Sequence, residues 1–75
     1  MPKVVFTLEG IEVIIQCSND EKIKDICNNY GNKIGKNINT FIFIYGGTLL
    51  NSDLTFEEQA NMIDKERNEM KILVY

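Results

Sequence analysis

A single stripe of apolar residues at helical spacing, set between stretches of strand-forming residues, limits the possible folds more than any other feature. The stripe consists of Ile23, Ile26, Cys27, Tyr30 and Ile34. These positions lie on one face of an α-helix. Because 75 residues have room for only one hydrophobic core, we expect this helix to pack on a sheet built from the flanking stretches.

The residues around the stripe predict where the helix begins and ends. Ser18 to Glu21 has the Ser-x-x-Glu pattern of a capping box, directly before the first stripe residue. Gly35 follows the last stripe residue, where a left-handed C-terminal cap is expected. Gly31 lies inside the helix and should cost about 0.5–1 kcal/mol relative to Ala. We therefore predict one helix whose last turns are weak.

The first part of the chain predicts a β-hairpin. Lys3–Leu8 and Ile11–Cys17 are rich in β-branched and aromatic residues, and Glu9-Gly10 between them is a turn signal.

The second half of the chain predicts three further strands. Phe41–Tyr45 is an apolar run that ends at Gly46-Gly47, and Leu49-Leu50 is long enough only for a brief edge strand. Met70–Tyr75 is the last strand. Asn51–Arg67 is polar and irregular, and its expected anchors in the core are Leu54, Phe56, Met62 and Ile63. The order is β-β-α-β-β-β, in one domain over residues 1–75.

Charge and composition exclude several classes of function. The net charge is −3, from 8 basic and 11 acidic residues, and there is no Lys/Arg run. The chain therefore has no basic surface that could bind a phosphate backbone or an anionic membrane, and we expect neither nucleic acid nor membrane as a partner. No window approaches the roughly 20 apolar residues of a membrane span. We expect a soluble protein of the cytoplasm or the nucleus.

The residue types needed for catalysis or metal binding are also scarce. The chain has no His, and its two cysteines, Cys17 and Cys27, form no CxxC pair. We expect both thiols to be buried and free, with no metal site and no cofactor. Asp53, Glu57 and Glu58 form the one carboxylate cluster, in a segment expected to be an exposed loop. The sequence therefore predicts a protein that is not an enzyme.

Several residues together resemble ubiquitin and its relatives over essentially the whole chain. They are Thr7-Leu8 with Gly10, Ile23 and Ile26, Gly35, the stretch Phe43–Gly47, and Leu50 with Thr55. The resemblance needs no gap over the first fifty residues and about three extra residues within Glu57–Glu69. It implies an α+β, ubiquitin-like β-grasp fold, with a mixed four- to five-stranded sheet and one helix across one face. The first and last strands would run parallel in the middle of the sheet.

Alternation along the strands then predicts which residues face the helix. On this basis one set faces inward: Val5, Val13, Ile15, Cys17, Phe41, Phe43, Tyr45, Met70, Ile72 and Val74. The opposite set is expected to face outward and is also largely apolar: Val4, Phe6, Leu8, Ile14, Ile42, Ile44 and Leu73. A monomer rarely leaves such a patch exposed without a use for it.

The predicted outward residues coincide with the surface through which ubiquitin-like proteins bind partners. Leu8, Ile44 and Leu73 match the three apolar positions of that surface, and Gly47 matches the small residue beside it. Phe6 and Ile42 stand where ubiquitin carries basic side chains, so partner specificity should differ. The resemblance therefore implies a non-catalytic interaction module for ubiquitin-receptor or other ubiquitin-pathway proteins, monomeric as an isolated domain.

Three other interpretations remain open. The outward apolar residues could be covered by a neighbouring domain or by a second copy of the chain. Ubiquitin-like modifiers are conjugated through a flexible tail that ends in Gly-Gly. The only Gly-Gly here, Gly46-Gly47, is expected inside a turn, so we expect a domain of a longer protein rather than a modifier whose tail is absent. Related β-grasp domains that bind small GTPases or self-associate would need complementary charge, and Ile11–Cys17 offers only Glu12.

Overall fold

The computed structural model describes residues 1–75 and has an α+β fold. It contains five strands, three α-helices and one short 3₁₀ helix. The strands are β1 (Lys3–Leu8), β2 (Ile11–Gln16), β3 (Phe43–Tyr45), β4 (Thr48–Leu49) and β5 (Glu69–Val74). The helices are α1 (Ile23–Ile34), the 3₁₀ helix (Ile38–Thr40), α2 (Phe56–Gln59) and α3 (Met62–Arg67).

All five strands belong to one mixed sheet with the order β2-β1-β5-β3-β4. β1 and β5 are parallel neighbours at its centre, and the other strand pairs are antiparallel. α1 packs on one face, which we call the inner face, and the opposite one is the outer face. This arrangement confirms the predicted β-grasp fold class, including the central parallel pair. None of the helices combines the length and the apolar character needed to cross a membrane.

The turn between β1 and β2 reverses the predicted orientation of β1. Only Glu9 and Gly10 form this turn, with φ angles of 52° and 80°. The resulting register pairs Phe6 with Val13, and directly opposed residues of an antiparallel pair share a face. Phe6 is therefore on the inner face, where its ring stacks on Tyr30 of α1 at a centroid distance of 4.3 Å.

The prediction that Val4, Phe6 and Leu8 point away from the helix is thus wrong. A one-residue change of register moves every side chain of a strand to the other face. The predicted face assignment did not follow the pairing that the two-residue turn at Glu9-Gly10 gives, which sets Phe6 opposite Val13. Val4 and Phe6 are fully buried, and Leu8 packs partly against the core. Val5, predicted to face inward, lies on the outer face, buried between its strand neighbours Ile14 and Lys71.

The core lies between α1 and the inner face, as the stripe predicted. The helix contributes Ile23, Ile26, Cys27 and Tyr30, and the sheet contributes apolar residues from β1, β2, β3 and β5. The predicted inward orientation is confirmed for Val13, Ile15, Cys17, Phe41, Phe43, Tyr45, Met70, Ile72 and Val74, which are buried or packed against this cluster.

The beginning of α1 differs from the predicted capping box. The N-cap is Lys22, whose side chain makes no capping bond. Instead, the backbone N–H groups of Ile23 and Lys24 donate to the carbonyl oxygens of Leu54 and Ser52, at 2.8 and 3.1 Å. A neighbouring loop therefore satisfies the helix donors that a side chain would otherwise bind. At the other end Gly35 caps the helix at φ 70°, as predicted.

The segment between β4 and β5 is more ordered than the predicted irregular loop. Thr55 and Glu58 form a reciprocal capping box at the start of α2, and Phe56 is buried beneath it. Leu54 is half-buried. Met62 and Ile63 are exposed on α3, so their prediction as core anchors is wrong.

A tyrosine hydroxyl anchors the start of α3 in their place. The Tyr45 hydroxyl accepts a hydrogen bond from the backbone N–H of Asn61 at 2.9 Å and donates one to the Asp64 carboxylate. Burial raises the pKa of this hydroxyl above its usual value, and the bond to Asp64 contributes in the same direction.

Candidate functional site

One row of apolar side chains crosses three neighbouring strands on the outer face. Leu73 of β5 lies opposite Ile44 of β3, and Ile44 lies opposite Leu49 of β4. Opposed residues have their Cβ atoms about 5 Å apart. The three side chains therefore form a continuous line across three of the five strands.

A second pair of apolar residues widens this line on one side. Ile42 and Tyr75 exchange two backbone hydrogen bonds, of 2.8 and 2.9 Å, which extend the β3–β5 pairing by one rung. Because Ile42 and Ile44 are two positions apart on an extended chain, they face the same way. We call Ile42, Ile44, Leu49, Leu73 and Tyr75 the outer patch.

The members of the outer patch are accessible to solvent. The exposed fraction is 47% for Leu73, 53% for Ile42, 67% for Tyr75 and 71% for Leu49, while Ile44 in the middle is half-buried. Scattered single apolar residues are normal on protein surfaces, but a contiguous group of five is not. The outer patch is thus the main candidate site for binding a protein.

Three of the six predicted site residues lie in the outer patch: Ile44, Leu73 and Ile42. Gly47 is in the exposed turn that joins β3 to β4, at φ 83°. Phe6 and Leu8 are not part of the patch, because the register of β1 turns them toward α1. Fully buried Phe6 cannot contact a partner without unfolding the sheet.

The sequence analysis missed Leu49 and Tyr75. For Leu49 a usable signal was present: two glycines at positive φ allow a two-residue hairpin turn. Such a turn at Gly46-Gly47 pairs Tyr45 with Thr48 and therefore places Leu49 opposite Ile44. Tyr75 shares the parity of Leu73 along the last strand, which alternation alone could have shown.

Charged residues lie on the outer face toward the start of β5. Lys3 and Glu69 form an ion pair of 3.5 Å, and the Arg67 guanidinium is 4.0 Å from the same carboxylate. Lys71 follows on β5, between this cluster and Leu73. The patch therefore has an apolar centre with a mixed charged rim, which is the usual composition of a protein interface.

A groove of about 390 Å³ opens beside the outer patch, where β4 ends. Ile42 and Leu49 belong to both the outer patch and the groove. The remaining lining comes from α1, the 3₁₀ helix with the residue after it, the start of β3 and the chain after β4: Cys27, Ile38, Asn39, Phe41, Phe43, Leu50 and Ser52.

The two thiols have the properties of core residues. Burial raises the pKa of Cys27 to about 12. Burial, together with the negative charge of Glu21, raises the pKa of Cys17 to about 11. Both thiols are protonated at neutral pH, and a protonated thiol is a poor nucleophile. No three acidic, cysteine or histidine side chains are grouped so that they could hold a metal ion.

Comparison with known proteins shows the fold and no closer relationship. No family model and no curated protein matches the sequence. The structure is similar to a crystal structure of ATBAG1 in complex with HSP70, with a TM-score of 0.78 and 11% sequence identity. The match covers 100% of this chain and 40% of that chain, so this protein spans about two fifths of its neighbour. At this identity the likeness shows a shared fold alone.

Proposed function

We propose that this chain is a ubiquitin-like domain and serves as a non-catalytic protein-interaction module. The observation that carries this proposal is the outer patch, a contiguous apolar surface at the positions through which ubiquitin-like proteins bind. The sheet order and the fold shared with a protein solved in complex with HSP70 support it. Its partners would be ubiquitin-receptor or other ubiquitin-pathway proteins, in the cytoplasm or the nucleus.

The size of the outer patch favours a reversible encounter over a permanent assembly. A patch of this kind exposes on the order of 400 Å², within the range of functional patches on monomers. Stable interfaces bury about 800 Å² on each partner. A second copy of the chain would therefore be held weakly by this surface, and we propose that the isolated domain is a monomer.

The shape of the outer patch fits an amphipathic helix. Leu73, Ile44 and Leu49 lie on adjacent strands, and strands are about 4.8 Å apart, so the row is about 10 Å wide. A helix with its side chains is about 10–12 Å in diameter. Its apolar stripe, with anchors three and four residues apart, would cover the row and the flanking Ile42–Tyr75 pair.

The expected affinity follows from the area. About 400 Å² at roughly 25 cal/mol per Å² corresponds to a gross gain of about 10 kcal/mol, and association costs about 4–15 kcal/mol. The net free energy is small, so dissociation constants should be high micromolar or weaker. Ile44, at the centre of the row, should be the principal anchor.

The test is an NMR titration of the ¹⁵N-labelled domain with helical peptides from several ubiquitin receptors. Shifts should concentrate on Ile42, Ile44, Leu49 and Leu73. Ile44→Ala should weaken binding about tenfold or more, which corresponds to about 1.4 kcal/mol.

Matched isoleucine variants distinguish specific binding at the outer patch from nonspecific apolar binding. Ile42 and Ile11 are 53% and 67% exposed, but Ile11 is at the hairpin end on the inner-face side. Ile42→Ser should lose binding, and Ile11→Ser should retain it. Equal losses, or saturable shifts that avoid the outer patch with every peptide, would contradict the proposed function.

A further inference from the structure

The groove beside the outer patch exists because β4 is too short to cover β3. β4 pairs only Thr48 and Leu49 with β3. The Leu50 N–H still donates to the Phe43 carbonyl oxygen at 3.0 Å, and the chain then turns toward Ser52, which accepts from the N-terminus of α1. The sheet edge at Phe41–Phe43 is therefore left without a neighbouring strand, and the groove opens there.

The lining of the groove selects for a neutral, aromatic occupant. No charged residue lines it, so a charged group would lose its hydration without finding a counter-ion. Two aromatic rings are present, and Phe41 and Phe43 already contact each other edge to face at 6.2 Å. A further ring can extend this packing, since aromatic groups prefer such offset and edge-to-face contacts.

Two polar groups at the rim can orient that occupant. The Asn39 side-chain amide and the Ser52 hydroxyl line the groove, and neither makes a hydrogen bond within the chain. Both residues are exposed. An indole N–H or a phenol hydroxyl has one polar group on an otherwise apolar ring, which matches an apolar floor with a polar rim.

We propose that this groove is an anchor pocket, in which a Trp or Tyr side chain of the bound partner is buried while the rest of the partner covers the outer patch. This inference rests on the proposed function, since it assigns the partner a specific residue. Continuity between the two surfaces supports it, because Ile42 and Leu49 border both. A partner helix lying over the row would need an aromatic residue at its edge nearest the 3₁₀ helix.

Small aromatic probes test the pocket without any partner. The ¹⁵N-labelled domain is titrated with indole and p-cresol, and with acetate as a charged probe. Indole and p-cresol should produce saturable shifts at Asn39, Ile42 and Leu49, with millimolar dissociation constants, and acetate should produce none.

Three variants test whether indole binds in the groove itself. Ser52→Phe places a ring in the groove and should weaken indole binding about tenfold or more. Leu49→Ala removes part of the wall and should weaken it about threefold. Ile63→Ala changes an exposed side chain of α3 that does not line the groove, and should leave indole binding within about twofold of wild type. Unchanged amide shifts outside the groove identify the variants that remain folded.

The outcomes of this titration are distinct from those of the proposed function. Absence of saturable shifts at the groove, or equal indole binding by wild type and by folded Leu49→Ala and Ser52→Phe, would overturn the anchor pocket. If indole binds as described but no receptor helix contacts the outer patch, the groove still accepts an aromatic ring, and the proposed function is what fails.

Discussion

Replacing Phe6 tests the register of β1, on which the division between core and binding surface depends. Phe6 is fully buried, stacks on Tyr30 at 4.3 Å with an interplanar angle of 14°, and meets Phe43 edge to face at 5.9 Å. Phe6→Ala should lower the free energy of unfolding by about 3–5 kcal/mol. A chain of 75 residues is stable by roughly 4–11 kcal/mol. At the lower end of that range the Phe6→Ala protein would be largely unfolded.

A milder substitution gives a number that can be measured. Phe6→Leu keeps most of the apolar volume but loses the ring contacts, so we expect a loss of about 1–2 kcal/mol. The assay is urea denaturation followed by circular dichroism. With a slope of about 1 kcal/mol per M, the midpoint should fall by about 1–2 M. A double-mutant cycle of Phe6→Leu with Tyr30→Leu should show a coupling of about 0.5–1.5 kcal/mol.

The matched control is Leu73→Ala, which truncates a side chain that is 47% exposed on the outer face. Its effect on stability should stay below about 1 kcal/mol, because little buried volume is lost. If Phe6→Leu costs no more than Leu73→Ala, or if its coupling to Tyr30 is zero, then Phe6 does not contact α1. In that case the two-residue turn and the face assignment of β1 are wrong.

Three further predictions concern the helices and the thiols. Gly31→Ala should lower the free energy of unfolding by about 1–2 kcal/mol in urea melts, because a Cβ there would overlap the 3₁₀ helix and lie 3.0 Å from a backbone oxygen. The control Asn32→Ala, at an exposed position, should instead raise the free energy of unfolding by about 0.5 kcal/mol. A Gly31→Ala variant more stable than the wild type would show that the close approach is absent. Tyr45→Phe removes both hydrogen bonds at the start of α3 and should lower the free energy of unfolding by about 1–2 kcal/mol. Amide hydrogen exchange should become faster in α3 and remain slow in α1. An equal change in both helices would contradict the anchoring role of Tyr45. Cys17 and Cys27 have pKa values raised above the usual 9.0, so their contribution to stability is complete below about pH 9 and declines toward pH 11–12, because the thiols ionise first in the unfolded chain. A thiol reagent at pH 8 should react with the native protein only at the rate of unfolding. Rapid reaction of either thiol would show that it is accessible in the folded protein.

Local signals in the sequence were sufficient where a residue's partners are its own neighbours along the chain. The α1 stripe from Ile23 to Ile34 and the cap at Gly35 follow from helical periodicity and from the conformations open to glycine. Alternation correctly gave the two faces of β5 and of β3, including the outward positions of Ile44 and Leu73. These features need no information about the rest of the molecule.

Features set by contacts between distant segments could not be obtained in this way. The N-terminus of α1 looked like a Ser18 capping box, but the carbonyl oxygens of Ser52 and Leu54 satisfy its N–H groups across the molecule. Met62 and Ile63 looked like core anchors, and Tyr45 took that role because its hydroxyl reaches the start of α3.

The face of β1 was the decisive case. The sequence determined that Lys3–Leu8 is a strand with two apolar sets, Val4, Phe6 and Leu8 on one side and Val5 on the other. Either set could have filled the core, because alternation fixes which residues share a face but not which face meets the helix. That choice was made by the two-residue turn, which pairs Phe6 with Val13, and by the stacking of Phe6 on Tyr30. The turn was visible in the sequence as Glu9-Gly10, but the contact between Phe6 and Tyr30 joins distant segments and is present only in the tertiary structure.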